Sequence, residues 1–344
     1  MFKGNGISKE QLTDTGEPCI LYGELYTKYK SEVISDIFSK TDIDTRKLVK
    51  SKANDVIIPC SGETAVDIAT ARCVPYDNIL LGGDLNIIRL YDCDGSFMSY
   101  QLNGKRKYDI AKVAQGVSVV HLYGDHLKGV KTYNPCLEEQ KKIAKLLSLL
   151  DERITTQNKI IDKLQSLIKG IAQKIVRSNK PNVRLSECLE CNSSTLQESD
   201  VCEHGTYPVY GANGIVGYLN NYNTEGEAVY IIKDGSGVGT VSYVTGKCSA
   251  TGTLNTLQAK EGYLLQYLYY LLKVFNFEPY KTGMAIPHIY FKDYGKAKVF
   301  CPSYTEQLRY ARLLSAIDSE LSIEKNFLTS LSLQKQYLLR HMFI

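Results

Sequence analysis

The sequence contains no tryptophan, and no apolar run approaches the ~18 residues that a membrane-spanning helix needs. We therefore expect no insertion into a membrane. The opening residues, MFKGNGISKEQL, show no basic segment followed by an apolar one, so no secretory signal is expected and the chain is predicted to be cytoplasmic. Histidine is also scarce, with 5 in 344 residues, and no Ser-His-Asp or Cys-His pairing can be argued from their positions.

Cysteine is present but does not indicate disulfides, because the 10 cysteines are scattered along a long chain predicted to lie in a reducing compartment. One cluster, Cys188, Cys191, Cys202 and His204, leaves two interpretations open. It could bind zinc, although Cys-x-His is not a common ligand spacing, or its thiols could be strand and loop residues. The net charge of +4 allows a polyanionic partner without requiring one, because clustering on one face is what matters for nucleic acid.

The most informative feature is an internal repeat. The stretch PCLEEQKKIAKLLSLLDERI at 135–154 returns as PSYTEQLRYARLLSAIDSEL at 302–321, with the Pro, the Glu-Gln pair, Leu-Leu-Ser and the Asp at the same spacing. The same shift aligns 116–176 with 283–343 without a gap. Since single hydrophobic cores rarely grow beyond ~250 to 300 residues, the sequence predicts two related halves in tandem.

Each repeat contains a long helix with apolar residues at the a and d positions over more than four heptads, which predicts a coiled coil. If an approximate two-fold axis relates the halves, the helices run antiparallel, with the globular segments at opposite ends of a rod of ~50 Å. The predicted seam consists of Ile143, Leu147, Leu150, Ile154, Gln157, Ile161, Leu164, Leu314, Ile317, Leu321, Glu324, Leu328 and Leu331. Gln157 and Glu324 occupy equivalent positions, and antiparallel pairing would bring them close enough to fix the register; the alternative is two exposed polar residues at a frayed seam.

The segments outside the helices are rich in strands. Residues 207–260 contain short β-branched and aromatic runs separated by Gly, Asn and Asp turns, and 262–275 is predicted to be a buried helix. The glycine-rich GSGVGT at 235–240 leads into another strand, which favours a hairpin turn over a phosphate-binding loop. The two halves share their ends and differ in sequence in their middles. The predicted fold class is α+β, a pseudo-two-fold tandem repeat of two mixed α/β domains and two long antiparallel helices.

This pattern resembles the DNA specificity subunit of type I restriction-modification systems. The resemblance is carried by Pro135 to Asp151 and Pro302 to Asp318, and by YPVYGANGIVGY, DGSGVGTV, GMAIPHI and GVSVVHLY, and it covers essentially the whole chain. It implies a target-recognition domain at 1–134 with an incomplete N-terminus, a coiled-coil helix at 135–180, a second target-recognition domain at 181–301 and a second helix at 302–344.

The resemblance also implies a function. Each recognition domain would read one half of an asymmetric, bipartite site in double-stranded DNA, and the helices would set the spacer between the halves. The chain would have no catalytic centre, cofactor or metal of its own. Two methyltransferase subunits and the restriction nuclease/translocase subunits would bind it, and S-adenosylmethionine, ATP and Mg²⁺ would belong to those partners.

Candidate DNA-contacting residues are polar, basic or aromatic side chains on turns between strands, since such loops carry recognition and these side chains pair with base edges and phosphates. The candidates are Tyr26, Lys28, Lys30, Ser61, Lys105, Arg106, Lys107, Tyr210, Asn213, Lys233, Ser236, Lys247 and Lys281. Other functions remain open at this point: a specificity subunit of a related type II-like enzyme, a stand-alone nuclease or methyltransferase, and a coiled-coil scaffold that does not bind DNA.

Overall fold

A computed structural model describes residues 1–343. The chain divides into two compact units, and neither is one continuous stretch of sequence. The first unit consists of Met1–Lys159 together with the residues from Asn326 onward, and the second unit is Ile160–Lys325. Each unit therefore combines one globular domain with a part of each long helix. The division into two recognition domains and two helices, at 1–134, 135–180, 181–301 and 302–344, stays a prediction.

The described residues of the first unit form nine strands. They are β1 (Phe2–Lys3), β2 (Glu17–Ile20), β3 (Ser39–Thr41), β4 (Asp55–Pro59), β5 (Ser61–Gly62), β6 (Arg72–Val74), β7 (Leu80–Leu81), β8 (Leu85–Ile88) and β9 (Val120–His121). The helices that begin in this unit are α1 (Glu24–Thr27), α2 (Ala65–Ile68), α3 (Gly95–Asn103), α4 (Lys107–Val113), α5 (Gly124–Leu127) and the long α6 (Leu137–Arg177).

The second unit contains the remaining elements that the structure describes. Its strands are β10 (Val183–Arg184), β11 (Leu189–Ser193), β12 (Tyr207–Gly211), β13 (Gly214–Leu219), β14 (Ala228–Ile232), β15 (Val241–Val244), β16 (Ser249–Ala250), β17 (Leu254–Ala259) and β18 (Lys298–Val299). The helices that begin in this unit are α7 (Leu185–Cys188), α8 (Leu265–Leu272), α9 (Phe291–Tyr294) and the long α10 (Tyr304–His341). Helix α8 lies inside the segment predicted to be a buried helix.

The two units share one sheet topology. An antiparallel four-stranded sheet has the order β1-β8-β4-β6 in the first unit and β11-β17-β14-β15 in the second. A three-stranded sheet follows the same scheme, with order β3-β2-β7 and β13-β12-β16, and its second pair is parallel in both units. The middles of the halves thus differ in sequence but share strand order and pairing directions.

The central strand β4 shows how the first core forms. All five of its residues are buried, and successive side chains point to opposite faces of the sheet. Val56 and Ile58 pack in one cluster with residues of α3 and α4, whereas Ile57 packs in another with residues of the three-stranded sheet. Its counterpart β14 is also buried along its whole length. The sheet is therefore covered on both faces.

The glycine-rich stretch at 235–240 lies in the connection between β14 and β15, which pair antiparallel. The interpretation as a hairpin connection is therefore confirmed. Lys233, two residues before this stretch, is fixed at both main-chain groups, because its N–H donates to the carbonyl of Thr253 and its own carbonyl accepts from the N–H of Ile289. These bonds anchor the start of the connection to two other segments of the second unit.

Within each unit the parts of α6 and α10 run antiparallel, as predicted. In the first unit Leu147 of α6 packs in one cluster with Leu338 of α10 and with Phe343, which follows α10, and Asp151 pairs with Lys335. In the second unit higher numbers in α6 likewise meet lower numbers in α10: Ile168 and Leu321 line one cavity, and Ala172 and Leu314 line another.

The predicted seam residues all lie on the inner faces of the helices. Leu147, Gln157, Ile161, Leu314, Leu321 and Leu331 are buried, and Ile143, Leu150, Ile154, Leu164, Ile317, Glu324 and Leu328 are half-buried. Polar residues such as Gln157 and Glu324 interrupt the apolar stripe of both helices, and none of the described helices has the length and apolar character needed to cross a membrane.

Candidate nucleic-acid interface

The glutamine of the repeated Glu-Gln pair joins each globular domain to its long helix. In the first unit the side-chain oxygen of Gln140 accepts from the N–H of Asp94 at 2.8 Å, and its amide donates to the carbonyl of Pro135 at 2.8 Å. In the second unit Gln307 makes the same pair of bonds, accepting from Leu264 at 2.8 Å and donating to Pro302 at 2.9 Å. Both glutamines are buried, and each satisfies main-chain groups of half-buried residues.

The aspartate that ends the repeated motif provides a second link. The Tyr100 hydroxyl on α3 donates to Asp151 at 2.7 Å, and the Tyr270 hydroxyl on α8 donates to Asp318 at 3.4 Å. Burial, and then the Asp151 carboxylate, raise the pKa of Tyr100, so its hydroxyl remains protonated and can donate. The repeated Gln and Asp thus fix the orientation of each domain on its own helices.

The first unit adds a buried ion pair that the second lacks at the equivalent position. The Lys335 ammonium lies 2.5 Å from Glu32 and 2.6 Å from Asp151, and only 15% of its side chain is exposed. Burial lowers the pKa of Lys335, but the two carboxylates outweigh burial, so the pKa is raised overall. At the equivalent position of α6 stands Ile168, which is buried without a charge.

A short hairpin recurs beside the central strand of each unit. In the first unit Gln115 and His121 exchange main-chain hydrogen bonds of 2.9 and 2.7 Å, and in the second unit Thr282 and His288 do the same at 2.9 and 2.7 Å. We call these the first hairpin (residues 115–121) and the second hairpin (residues 282–288). Both belong to the repeated part of the sequence, and both lie next to the loop that follows the central strand.

In the first unit, two of the predicted DNA-contacting residues meet at the first hairpin. Ser61 pairs with His121 across β5 and β9, and its carbonyl accepts from the Tyr26 hydroxyl at 3.0 Å. Burial, followed by the Asp67 carboxylate, raises the pKa of Tyr26, which keeps this donor protonated. Together with Val119 of the hairpin tip, these residues line a cleft of about 690 Å³. The cleft presents both hydroxyl and carboxylate groups.

In the second unit, three further candidates gather at the second hairpin. Ile289, directly after the hairpin, donates its N–H to the carbonyl of Lys233, and the N–H of Gly235 donates to Pro287. Ser236 is exposed in the same loop, and Lys281 directly precedes the hairpin. The imidazole Nδ1 of His288 lies 2.7 Å from Asp234, which ties this loop to the hairpin a second time.

Three other candidates of the second unit lie apart from its hairpin. Asn213 is exposed in the turn between β12 and β13, and Tyr210 is half-buried against Tyr230. Lys247 is exposed with its ammonium 4.7 Å from the ring centre of Tyr222. This contact leaves a lysine and an aromatic ring together on the surface, which is suited to a nucleic-acid backbone.

The remaining candidates of the first unit are scattered. Lys28 pairs with Glu24 at 2.7 Å, and Lys30 is exposed nearby in sequence. The run Lys105, Arg106 and Lys107 joins α3 to α4 just after Gly104, where an added Cβ would clash with the main chain of Leu339. That basic run therefore lies next to α10 and is not brought together with Tyr26 and Ser61.

The cysteine cluster has no arrangement for metal binding. Among residues 1–343, no group of three or more His, Cys, Asp and Glu is placed to hold an ion. Cys188 is buried with its sulfur 3.3 Å from the carbonyl of Arg184, whereas Cys202 is exposed.

The model of the type I restriction modification DNA specificity domain matches this chain twice, at residues 2–166 and 178–332. The chain belongs to this family. The two matches cover most of the sequence, one for each half of the repeat. Specificity-domain sequences from several organisms are also similar to it. A putative type I specificity subunit of Mycoplasma genitalium is 24% identical over 283 residues, which cover 75% of this chain and 73% of that protein.

Other members of the specificity-domain family match over shorter stretches. A putative type I restriction enzyme specificity subunit of Haemophilus influenzae is 33% identical over 95 residues, covering 27% of this chain and 25% of that protein. The crystal structure of a type I restriction-modification S subunit from M. genitalium gives a TM-score of 0.69 at 20% identity, covering 100% of this chain and 93% of that one. At this identity the similarity establishes the fold.

Sequence reasoning missed the residues that attach each specificity domain to its helices. The motif containing Gln140 and Asp151 was recognised as repeated, but no role was assigned to either side chain. Their partners, Tyr100 and the N–H of Asp94, lie far away in sequence, so only the fold reveals the contacts. A signal was nevertheless present, because these polar residues recur unchanged on an otherwise apolar helix face.

Proposed function

We propose that this chain is the DNA specificity subunit of a type I restriction-modification system, and that its two units read the two parts of an asymmetric, bipartite site in double-stranded DNA. The main support is the pair of units with one topology and different loop sequences. A common scaffold presents a reading surface of the same kind twice, whereas different loop residues favour two different half-sites.

The thirteen candidate residues are proposed to contact DNA in two ways. The lysines and Arg106 would meet phosphates and set position, while Ser61, Asn213 and Ser236 would approach base edges. Tyr26 and Tyr210 would contribute flat rings beside these groups. Because phosphate contacts release counterions, binding to duplex DNA is expected to weaken steeply as salt is raised. A coiled-coil scaffold without DNA affinity would show no such slope.

We further propose that the chain is not itself an enzyme. Two methyltransferase subunits would bind the long helices, and nuclease/translocase subunits would join for restriction; S-adenosylmethionine, ATP and Mg²⁺ would be bound by these partners. The proposed setting is the cytoplasm, where chromosomal DNA is accessible. The purified chain is expected to neither methylate nor cleave DNA when S-adenosylmethionine and Mg²⁺ are supplied.

Support for two equivalent partner sites comes from the outward faces of the helices. Leu146 on α6 and Leu313 on α10 are equivalent in the repeat, and they are 50% and 49% exposed. Lys142 and Arg309 lie close to them in sequence and are also exposed. An apolar residue flanked by charges on each helix is suited to docking a helix of the same partner twice.

The decisive experiment is to map methylated bases in a genome after this chain is co-expressed with its partner methyltransferase. We expect one motif with two unlike parts separated by a fixed number of unspecified bases. Expression of the methyltransferase alone is the control, and it should give no such motif. A symmetric motif, or methylation by the purified chain without a partner, would contradict the proposal.

A further inference from the structure

The tips of the two hairpins expose apolar side chains that fold stability does not require. Val117 in the first hairpin is 98% exposed and Met284 in the second is fully exposed, while Val119 and Ile286 are 52% and 58% exposed. The two tips occupy equivalent positions in the repeat, so the same unusual feature occurs in both units. Leaving apolar side chains in water is unfavourable, which suggests that a binding partner covers them.

Each tip is held rigidly in its exposed position. Besides the paired hydrogen bonds at its base, each hairpin has a glycine in the left-handed region, Gly116 at φ 123° and Gly283 at φ 87°. A Cβ at either glycine would clash with the carbonyl oxygen of Val119 or Ile286, respectively. The tips are therefore preorganised, and little conformational entropy would be lost on binding.

The position of the tips favours DNA as the partner. Val119 lines the same cleft as Tyr26 and Ser61, and the second hairpin is hydrogen-bonded to the loop that carries Lys233 and Ser236. Each apolar tip is thus continuous with the surface proposed to read bases. A partner protein docked on the tips would occupy that same surface.

Positive charge accompanies each tip in the same way. The segment that follows each hairpin carries an exposed tyrosine, Tyr123 or Tyr290, stacked on the hairpin histidine at a centroid distance of 6.3 or 6.5 Å. A lysine ammonium lies over each ring, Lys3 at 5.9 Å and Lys292 at 5.3 Å. A groove of DNA presents sugars and base faces between two rows of phosphates. Apolar tips flanked by lysines are chemically complementary to such a groove.

We propose that the two tips are apolar wedges that insert between stacked base pairs from the minor groove, one at each part of the DNA target. This inference rests on the proposed function. The hairpins recur while the reading loops differ, so the wedges contact what both half-sites have in common, namely stacked bases and sugars rather than a particular sequence. Proteins that kink DNA use aliphatic side chains in this way.

The test uses the full chain assembled with its partner methyltransferase and duplexes that carry the target found by methylation mapping. Adenines in one half-site at a time are replaced by 2-aminopurine, whose fluorescence rises when a base is unstacked. The variants are Val117→Ser with Val119→Ser in the first tip, and Met284→Ser with Ile286→Ser in the second. Met284→Gln is a milder replacement in case the double change disturbs folding, and Ile323→Ser, an exposed apolar residue on α10, is the control.

Each tip variant is expected to lower the fluorescence rise at one half-site only and to weaken DNA binding by about tenfold, since apolar contacts are lost. Ile323→Ser should match the unmodified chain. Unchanged fluorescence and affinity in the tip variants would overturn the wedge while leaving the proposed function intact. Loss of a methyltransferase copy from the complex, with stacking unaffected, would show that the tips bind protein and would also overturn it. If mapping finds no motif, the proposed function and the wedge fail together.

Discussion

At the scale of single residues, Lys335 shows how one side chain can make two similar units different. It stands on the apolar face of α10, where the repeat places Ile168 in α6. Its ammonium is buried between Glu32 and Asp151, so it connects the end of the chain to the first domain. A buried lysine is stable only where carboxylates lie close enough to pair with it. Lys335 therefore fits beside the first domain, and the equivalent position in α6 holds an apolar residue instead.

Lys335→Met is expected to destabilise the first unit by about 3 kcal/mol, because two buried carboxylates would lose their counter-charge. Hydrogen exchange of peptides from each unit, followed by mass spectrometry, measures the effect separately in the two units. Lys163→Met, which removes an exposed lysine from α6, is the matched control and should change little. Equal loss of protection in both units would be inconsistent with this role.

The pH dependence of this effect has a defined sign. Because the pKa of Lys335 in the folded chain is raised above its ordinary 10.5, the ion pair stabilises the fold fully below that pH. The stabilisation is lost as the pH rises through the folded-state pKa. The difference in unfolding free energy between the unmodified chain and Lys335→Met should therefore be constant at neutral pH and shrink only in strongly alkaline solution.

Tyr100 and Tyr270 allow a comparison between the units. Tyr100→Phe removes a 2.7 Å hydrogen bond to a buried carboxylate and should cost about 2 kcal/mol, whereas Tyr270→Phe removes a bond of 3.4 Å to the half-buried Asp318 and should cost less than about 1 kcal/mol. Urea-induced exposure of each unit, monitored by limited proteolysis, gives the two values. The order of the two losses is the test, and a larger loss for Tyr270→Phe would refute the account.

At the scale of elements, the repeated glutamine is expected to matter equally in both units. Gln140→Ala and Gln307→Ala each remove the side-chain partner of a partly buried main-chain N–H and of a carbonyl, so each should destabilise its own unit by about 1 kcal/mol. Gln334→Ala on the exposed face of α10 is the control. Amide exchange at Asp94 and Leu264 reports each contact directly, and slow exchange at either site after its substitution would argue against the role.

The elements themselves were largely predictable from sequence. The heptads predicted two long helices, and an approximate two-fold relation between the repeats predicted their antiparallel pairing. The turn residues predicted the strand-rich character and the hairpin at 235–240. The shared strand order was not predictable, because the middles of the halves have little sequence in common and pairing of distant strands depends on three-dimensional contacts. Lys335 interrupts the apolar heptad positions of α10, and nothing in the sequence of α10 indicates that Glu32, 303 residues away, supplies its partner.

At the scale of the whole molecule, the exposed Leu146 and Leu313 predict how many methyltransferase subunits bind the chain. Leu146→Ser and Leu313→Ser should each remove one methyltransferase copy from a complex containing two, because each substitution removes the apolar centre of one docking site. Native mass spectrometry of the assembled complex counts the copies. Leu333→Ser, an exposed leucine outside the equivalent pair, is the control. Loss of both copies from either single variant would mean that the partners do not bind independently.

The candidate interface was only partly predictable at this scale. Turn position and residue type selected Ser61, Lys233 and Ser236, which the fold brings to the two hairpins. The same criteria also selected Lys105 to Lys107, which lie beside α10. A run of basic residues in a sequence does not indicate which surface of the fold it will occupy. The apolar tips were overlooked because exposure cannot be inferred from an apolar residue's identity, and Val117 looks in sequence like an ordinary strand residue.

The division of the chain into units also has a consequence for its synthesis. The first unit is completed by residues from Asn326 onward, whose Leu338 and Phe343 pack against Phe97 and Tyr100. On a ribosome these residues emerge only after the entire second unit, roughly ten to thirty seconds behind Lys159 at bacterial elongation rates. During that interval the nascent first domain exposes an unfilled apolar surface. The unit that begins first along the chain is thus the last to be completed.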